Sequence, residues 1–200
     1  MPGQPADVAD VAEVDDGADV APADPTARAA QLNSDQPIAV DLDRHIYGAP
    51  TAAITVVEFG DFECPYCGSA APVLRKLVDS SGGRVRLVWR NFPLFTVHRH
   101  ALTAALAAEA SGDFFWKMHD QLFAHQNRLA DADLDGYAAA VGAGGVTGSA
   151  AQPFRAAVES DYRSGVDAGV KATPTLFIDG RRYTGRVELA ALRNALGLTR

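Results

Sequence analysis

Cysteine is scarce in this 200-residue chain, which holds only Cys64 and Cys67. Two are too few for the disulfide framework that staples small extracellular folds. A structural zinc site takes four ligands and a single C-x-x-C supplies two, so no metal site is expected. Long apolar runs are missing as well. Nothing approaches the roughly 18 residues of a membrane span, which leaves no basis for direct membrane insertion. The N-terminus lacks a basic region followed by an apolar core and a small-residue cleavage site, so no signal peptide is read. As written the chain reads as cytoplasmic; a fragment of a longer protein would instead be tethered at the membrane or cell envelope. Positive charge is absent from residues 1–25, which carry seven acids (Asp7, Asp10, Glu13, Asp15, Asp16, Asp19 and Asp24). The other 18 acids are matched by all 18 Lys and Arg, so the rest is neutral despite the net charge of −7. A neutral body gives no electrostatic case for a nucleic-acid partner.

What is present suits one soluble domain, with 48 % hydrophobic and 22 % charged residues. Residues 1–35, without aromatics or periodicity, read as a disordered acidic tail or linker that fold and chemistry do not need. Residues 36–200 read as the domain. Ile54-Thr55-Val56-Val57-Glu58-Phe59 is apolar on both faces, as a central strand is. After the C-x-x-C, Ala70 to Val78 predicts a helix ended by Ser80-Ser81-Gly82-Gly83, and Val85 to Trp89 predicts a second strand. This β-α-β unit calls for parallel pairing. Residues from about 97 to 168 contain no strand pattern. Leu102, Ala105, Leu106 and Glu109 suit a helix, as do Phe115, Met118 and Leu122, with further helices over 132–141 and 153–166. The intervening 142–148 loop matches a nucleotide-binding glycine pattern only loosely, because Thr147 replaces the third glycine and no strand precedes it. It reads as a linker. Thr175 to Ile178 and Arg181 to Thr184 flank Asp179-Gly180, a type I′ hairpin signal. Leu189, Leu192 and Leu196 share one face of a closing helix.

The chemistry centres on Cys64-Pro65-Tyr66-Cys67. Standing between a strand and a helix, Cys64 meets the free N–H groups and partial positive charge of a helix N-terminus, which stabilise a thiolate. It is expected as the accessible nucleophile, with Cys67 one turn inward as the more buried, resolving thiol. Pro65 fits the first helical turn, and Pro72 is expected to kink the helix. Glu58 interrupts an apolar strand six residues before Cys64. It is either a buried carboxylate that exchanges a proton with Cys67 or a strand-end carboxylate reaching water. Thr173-Pro174 precedes an apolar strand, either as a cis-proline loop exposing backbone to a peptide or as an ordinary trans bond. With Pro65 and Tyr66 these two residues form the expected substrate surface. No metal, flavin or nucleotide cofactor is needed for thiol–disulfide exchange.

Glu58 through Cys67, Pro72, Thr173-Pro174 and the terminal hairpin and helix resemble the thioredoxin superfamily over about residues 45–199. The helical block resembles the DsbA-like branch, as do Trp89-Arg90-Asn91-Phe92-Pro93-Leu94, His98-x-His100-Ala101 and Phe115-Trp116-Lys117-Met118-His119. More narrowly, the chain is similar to DsbA-like domains fused to actinobacterial Na⁺/H⁺ antiporters. The resemblance implies an α/β thioredoxin fold with an all-helical insertion, at about 97–168, between the β-α-β and β-β-α halves. It implies a monomeric dithiol oxidase acting on protein or peptide thiols, with a separate redox-recycling partner. Arg99 departs from the His-Pro frequent in that branch, so His98 receives no catalytic role. Pro-Tyr is also the glutaredoxin dipeptide. A glutaredoxin-like or thioredoxin-like reductase therefore stays as an alternative, beside a redox-regulatory module tethered to a transporter.

Overall fold

Apolar residues on both faces of Ile54–Phe59 leave this segment one stable position, a strand covered on both sides. In the computed structural model, which describes residues 38–198, it becomes β2 (Ile54–Gly60) at the middle of a five-stranded sheet. The expected acidic tail lies outside the described residues. The other strands are β1 (Ile46–Gly48), β3 (Val85–Asn91), β4 (Thr175–Ile178) and β5 (Arg181–Tyr183), in the order β1-β3-β2-β4-β5. β2 pairs in parallel with β3 and antiparallel with β4, which sets Glu58 between Trp89 and Leu176. Positive φ at both Asp179 and Gly180 makes the expected type I′ turn between β4 and β5.

Helix α1 (Pro65–Asp79) begins directly after Cys64, as its expected place at a helix N-terminus requires, with Pro65 pre-setting the first turn. Helical backbone continues through Pro72. Between β3 and β4 lie α2 (Ala101–Ala110), α3 (Phe115–Ala124), α4 (Asp131–Val141), the single turn α5 (Gly148–Ala151) and α6 (Arg155–Asp167), with α7 (Leu189–Ala195) after β5. The insertion is all-helical among the described residues. The 142–148 loop joins two helices and follows no strand, as its reading as a linker requires.

Alternation along the strands divides the core. Val56, Leu87, Leu176 and Ile178 meet Leu74, Leu77 and Leu192 of α1 and α7 on one face. Val57, Phe59, Val88 and Phe177 meet Phe92, Tyr162 and the chain at Ile38, Val40 and Leu42 on the other. A third cluster fills the insertion and reaches the sheet through Phe62 and Trp89, whose rings stack at 4.7 Å. No helix among the described residues is long and apolar enough to cross a membrane.

Strand β1 has no counterpart in the sequence reading, since three residues cannot show an alternation. Tertiary contacts hold it. It pairs antiparallel with β3, and the Arg75 guanidinium lies 3.6 Å from the Tyr47 ring centroid. Beside it Arg44 reaches Glu109 of α2 and Asp161 of α6, each at 2.6 Å. The Asn91 side-chain amide donates to the same two carboxylates at 2.7 and 3.1 Å. This buried network ties the segment before β1 to the end of β3 and to both ends of the insertion. Arg44→Met leaves Glu109 and Asp161 buried with less compensation, and is expected to lower stability by about 3 kcal/mol. For a domain of this size that is a melting-temperature drop of roughly 6–12 °C, and an unchanged melting curve would contradict it.

Candidate active site

The site is built where β2 ends. Past Gly60, the Asp61 carbonyl accepts the Cys64 N–H at 3.1 Å and its Oδ1 accepts the Glu63 N–H at 2.8 Å. This short turn delivers Cys64 to the N-cap position of α1. Asp61 Oδ2 also accepts the Leu94 N–H at 2.8 Å and lies 2.8 Å from His98 Nδ1. Glu63 Oε2 accepts the His100 N–H at 2.6 Å. Gln126, after α3, donates its side-chain amide to the carbonyls of Phe62 and Cys64 at 2.9 and 2.8 Å.

Both thiols are free. Cys67 is 0 % exposed and Cys64 only 4 %, which corrects the expectation of an accessible Cys64. The Thr173 carbonyl covers it, 3.3 Å from Sγ and accepting from the thiol. Tyr66 beside it is 75 % exposed. Thr173–Pro174 is cis, and Thr173 meets Cys64 across 109 residues of chain. Cys64, Pro65, Tyr66, Cys67, Thr173 and Pro174 thus gather at one place, with Glu58 beneath them in the sheet.

Electrostatics separates the titrating groups. A hydrogen bond from the Cys67 thiol, joined by the Thr173 side chain and then by the backbone N–H groups of Cys67 and Tyr66, outweighs burial and pulls Cys64 down to about 5. Cys67 moves the opposite way: burial first, then its bond to Cys64 and the charge of Glu58, push it well above an ordinary thiol. Glu58 is 0 % exposed and neither carboxyl oxygen has a hydrogen-bond partner. Burial, aided by the Cys64 charge, raises its pKa to about 8. Its burial excludes the alternative of a strand-end carboxylate reaching water.

Three contributors escaped the sequence reading. Asp61 and Gln126 act through hydrogen bonds to backbone across 33 to 64 residues, which no local pattern announces. His98 was visible in a motif but received no role. Partial burial would lower its pKa, yet the Asp61 carboxylate holds it above the ordinary value.

The family model described as Thioredoxin matches residues 41–197. The chain is 44 % identical over 165 residues to Na(+)/H(+) antiporter NhaA 1 of Salinispora arenicola, aligning 80 % of this chain with 25 % of that protein. It spans about a quarter of the length of the curated relatives it matches. Pseudomonas aeruginosa DsbA2 superposes with a TM-score of 0.61 at 26 % identity, covering 80 % of this chain and 96 % of that one. A thioredoxin-like oxidoreductase from Silicibacter pomeroyi gives 0.64 at 26 % identity, covering 76 % and 88 %. Both resemblances read from the motifs, to DsbA-like proteins and to antiporter-fused domains, therefore hold.

The pKa values carry a stability signature. Folded Glu58 keeps its proton to about pH 8, whereas the unfolded carboxyl loses it near 4.5. The folded state then binds more protons than the unfolded one, so this group makes stability fall as pH rises through that window. In the reduced protein Cys64 acts oppositely, because its folded thiol ionises near 5 and its unfolded thiol near 9. Glu58→Gln is expected to raise the melting temperature near neutral pH and to leave a reduced protein that gains stability from pH 5 to 9. In the disulfide form, which has no thiol to ionise, the same substitution should flatten the decline expected of wild type. Thermal unfolding of both redox forms across this range checks it; identical pH profiles for the two proteins would show that Glu58 is hydrated.

Proposed function

This chain belongs to the thioredoxin family, and from that membership we propose that it is a DsbA-like protein thiol–disulfide oxidoreductase with Cys64 and Cys67 as its redox pair. The observation that carries the reading is the division between the thiols. Cys64 is drawn to about 5 at a helix N-terminus while its buried neighbour is raised. A thiolate stabilised in this way favours the reduced enzyme, so its disulfide form is an oxidant.

In the oxidising cycle, a substrate thiolate attacks Cys64 Sγ of the disulfide. The Cys64–Cys67 bond breaks, a mixed disulfide forms, and the electron pair goes to Cys67 Sγ, which takes a proton. Glu58, protonated below about pH 8, is the donor. A second substrate thiolate then attacks the substrate sulfur of the mixed disulfide and displaces Cys64 as thiolate. The substrate loses two electrons to form its disulfide, and the enzyme gains them. An oxidising partner, itself a disulfide or a quinone-linked protein, returns the enzyme to its starting state. Pro65, exposed Tyr66, Thr173 and Pro174 form the surface for the substrate peptide, whose extended backbone pairs beside the cis-proline loop.

The match to one quarter of Na⁺/H⁺ antiporters favours a membrane-tethered setting, in which the domain acts on thiols at the cell envelope or adjusts the attached transporter by its redox state. A redox titration against glutathione separates oxidase from reductase. The oxidase reading expects a potential nearer about −120 mV than the roughly −270 mV of thioredoxin. Cys64→Ser and Cys67→Ser should each abolish peptide oxidation, and Cys67→Ser offered a disulfide-bonded peptide should accumulate a mixed disulfide through Cys64, releasing the peptide's other sulfur as a thiol. A thioredoxin-like potential would make the chain a reductase, and a disulfide inert to peptide thiols would leave only the regulatory reading.

A further inference from the structure

The side chain of Gln126 meets the active-site backbone at three points. Its Nε2 donates to the carbonyls of Phe62 and Cys64, at 2.9 and 2.8 Å. Two carbonyl acceptors require both amide hydrogens, so Oε1 faces the other way, over Gly68. A Cβ built on Gly68 would overlap Oε1 and stand 2.8 Å from Cδ. The amide therefore lies flat against the first turn of α1, in space that only glycine leaves open. The Cys64 carbonyl it holds is also the acceptor of the first helical bond, from the Gly68 N–H at 3.1 Å.

Gln126 is itself firmly placed. The His125 carbonyl accepts the Arg128 N–H at 2.8 Å, the His125 ring stacks on Tyr137 at 4.8 Å, and the Tyr137 hydroxyl donates to the Arg128 carbonyl at 3.0 Å. A turn anchored on α4 of the insertion thus grips the Phe62–Glu63 and Cys64–Pro65 peptide units, the second of which opens the helix. Those units set the direction in which the Tyr66 and Cys67 N–H groups point.

We propose that Gln126 is a positioning residue for the thiol chemistry: through its amide the helical insertion fixes the first turn of α1, and Gly68 exists to admit that amide. The proposal rests on the oxidoreductase reading and assigns the insertion a part in setting Cys64 reactivity. Loss of the clamp lets the first turn relax, the N–H donors drift from Sγ, and the thiolate loses stabilisation.

The test is a double-mutant cycle read by thiolate absorbance against pH, equilibrium with glutathione, and thermal unfolding. Gln126→Ala, and Gln126→Glu, which keeps the bulk but removes both donors, are each expected to raise the Cys64 midpoint by about one unit, a tenfold change in ionisation. Gly68→Ala in an otherwise wild-type chain should do the same by expelling the amide. In the Gln126→Ala background the same methyl enters vacated space, so Gly68→Ala should add nothing further. Fully additive shifts, or a Gln126→Glu protein that melts lower with the Cys64 midpoint unmoved, would overturn the proposal. A wild-type midpoint near the ordinary thiol value of ~8.5 would instead sink the oxidoreductase reading, so the two failures are distinct.

Discussion

The first turn of α1 is the constraint on which the site depends. A thiolate at Cys64 survives in a nearly closed environment only while its hydrogen-bond donors stay aimed at the sulfur, since burial alone would raise its pKa. Thr173 supplies one from the loop before β4; the others belong to Cys67 and Tyr66, and their direction is set by how the chain turns from β2 into the helix. Asp61 determines that turn from within, by accepting both the Glu63 and the Cys64 N–H groups on its side chain and carbonyl. The insertion determines it from outside, through Leu94, His98 and His100 on one side and Gln126 on the other.

This arrangement fastens the helical insertion to the turn that carries Cys64. Phe62 carries the contact into the core, stacked on Trp89 and packed with His119 and Phe123. The buried network around Glu109 and Asp161 holds the opposite flank, joining α2 and α6 to the end of β3 and to Arg44. The insertion is thereby welded to the sheet at both ends.

Beneath the turn, the sheet supplies a low-dielectric floor. Register sets Glu58 between Trp89 and Leu176, and no polar group reaches its carboxyl oxygens. Desolvation therefore pushes Glu58 and Cys67 upward together while hydrogen bonding pulls Cys64 down. One short stretch of chain separates an anion from two protonated groups, the condition that the proposed sulfur exchange with internal proton transfer requires.

Much of this was legible in the amino-acid order. A run apolar on both faces, the Asp179-Gly180 turn and the β-α-β spacing determined the sheet's central strands, and helical periodicity determined the nature of the insertion, because these are local consequences of backbone geometry and of which faces are buried. The cysteine pair and Glu58 were equally visible, since a C-x-x-C after a strand and a carboxylate inside one are rare in ordinary cores. Three things were decided by tertiary structure alone. Strand β1 exists because β3 and Arg75 hold it, not because its residues prefer it. Cys64 is covered because Thr173 folds back over it from 109 residues away. Asp61, His98 and Gln126 acquire their place only when the insertion closes on the β2–α1 turn, for hydrogen bonds to backbone carbonyls and amides leave no periodicity in a sequence.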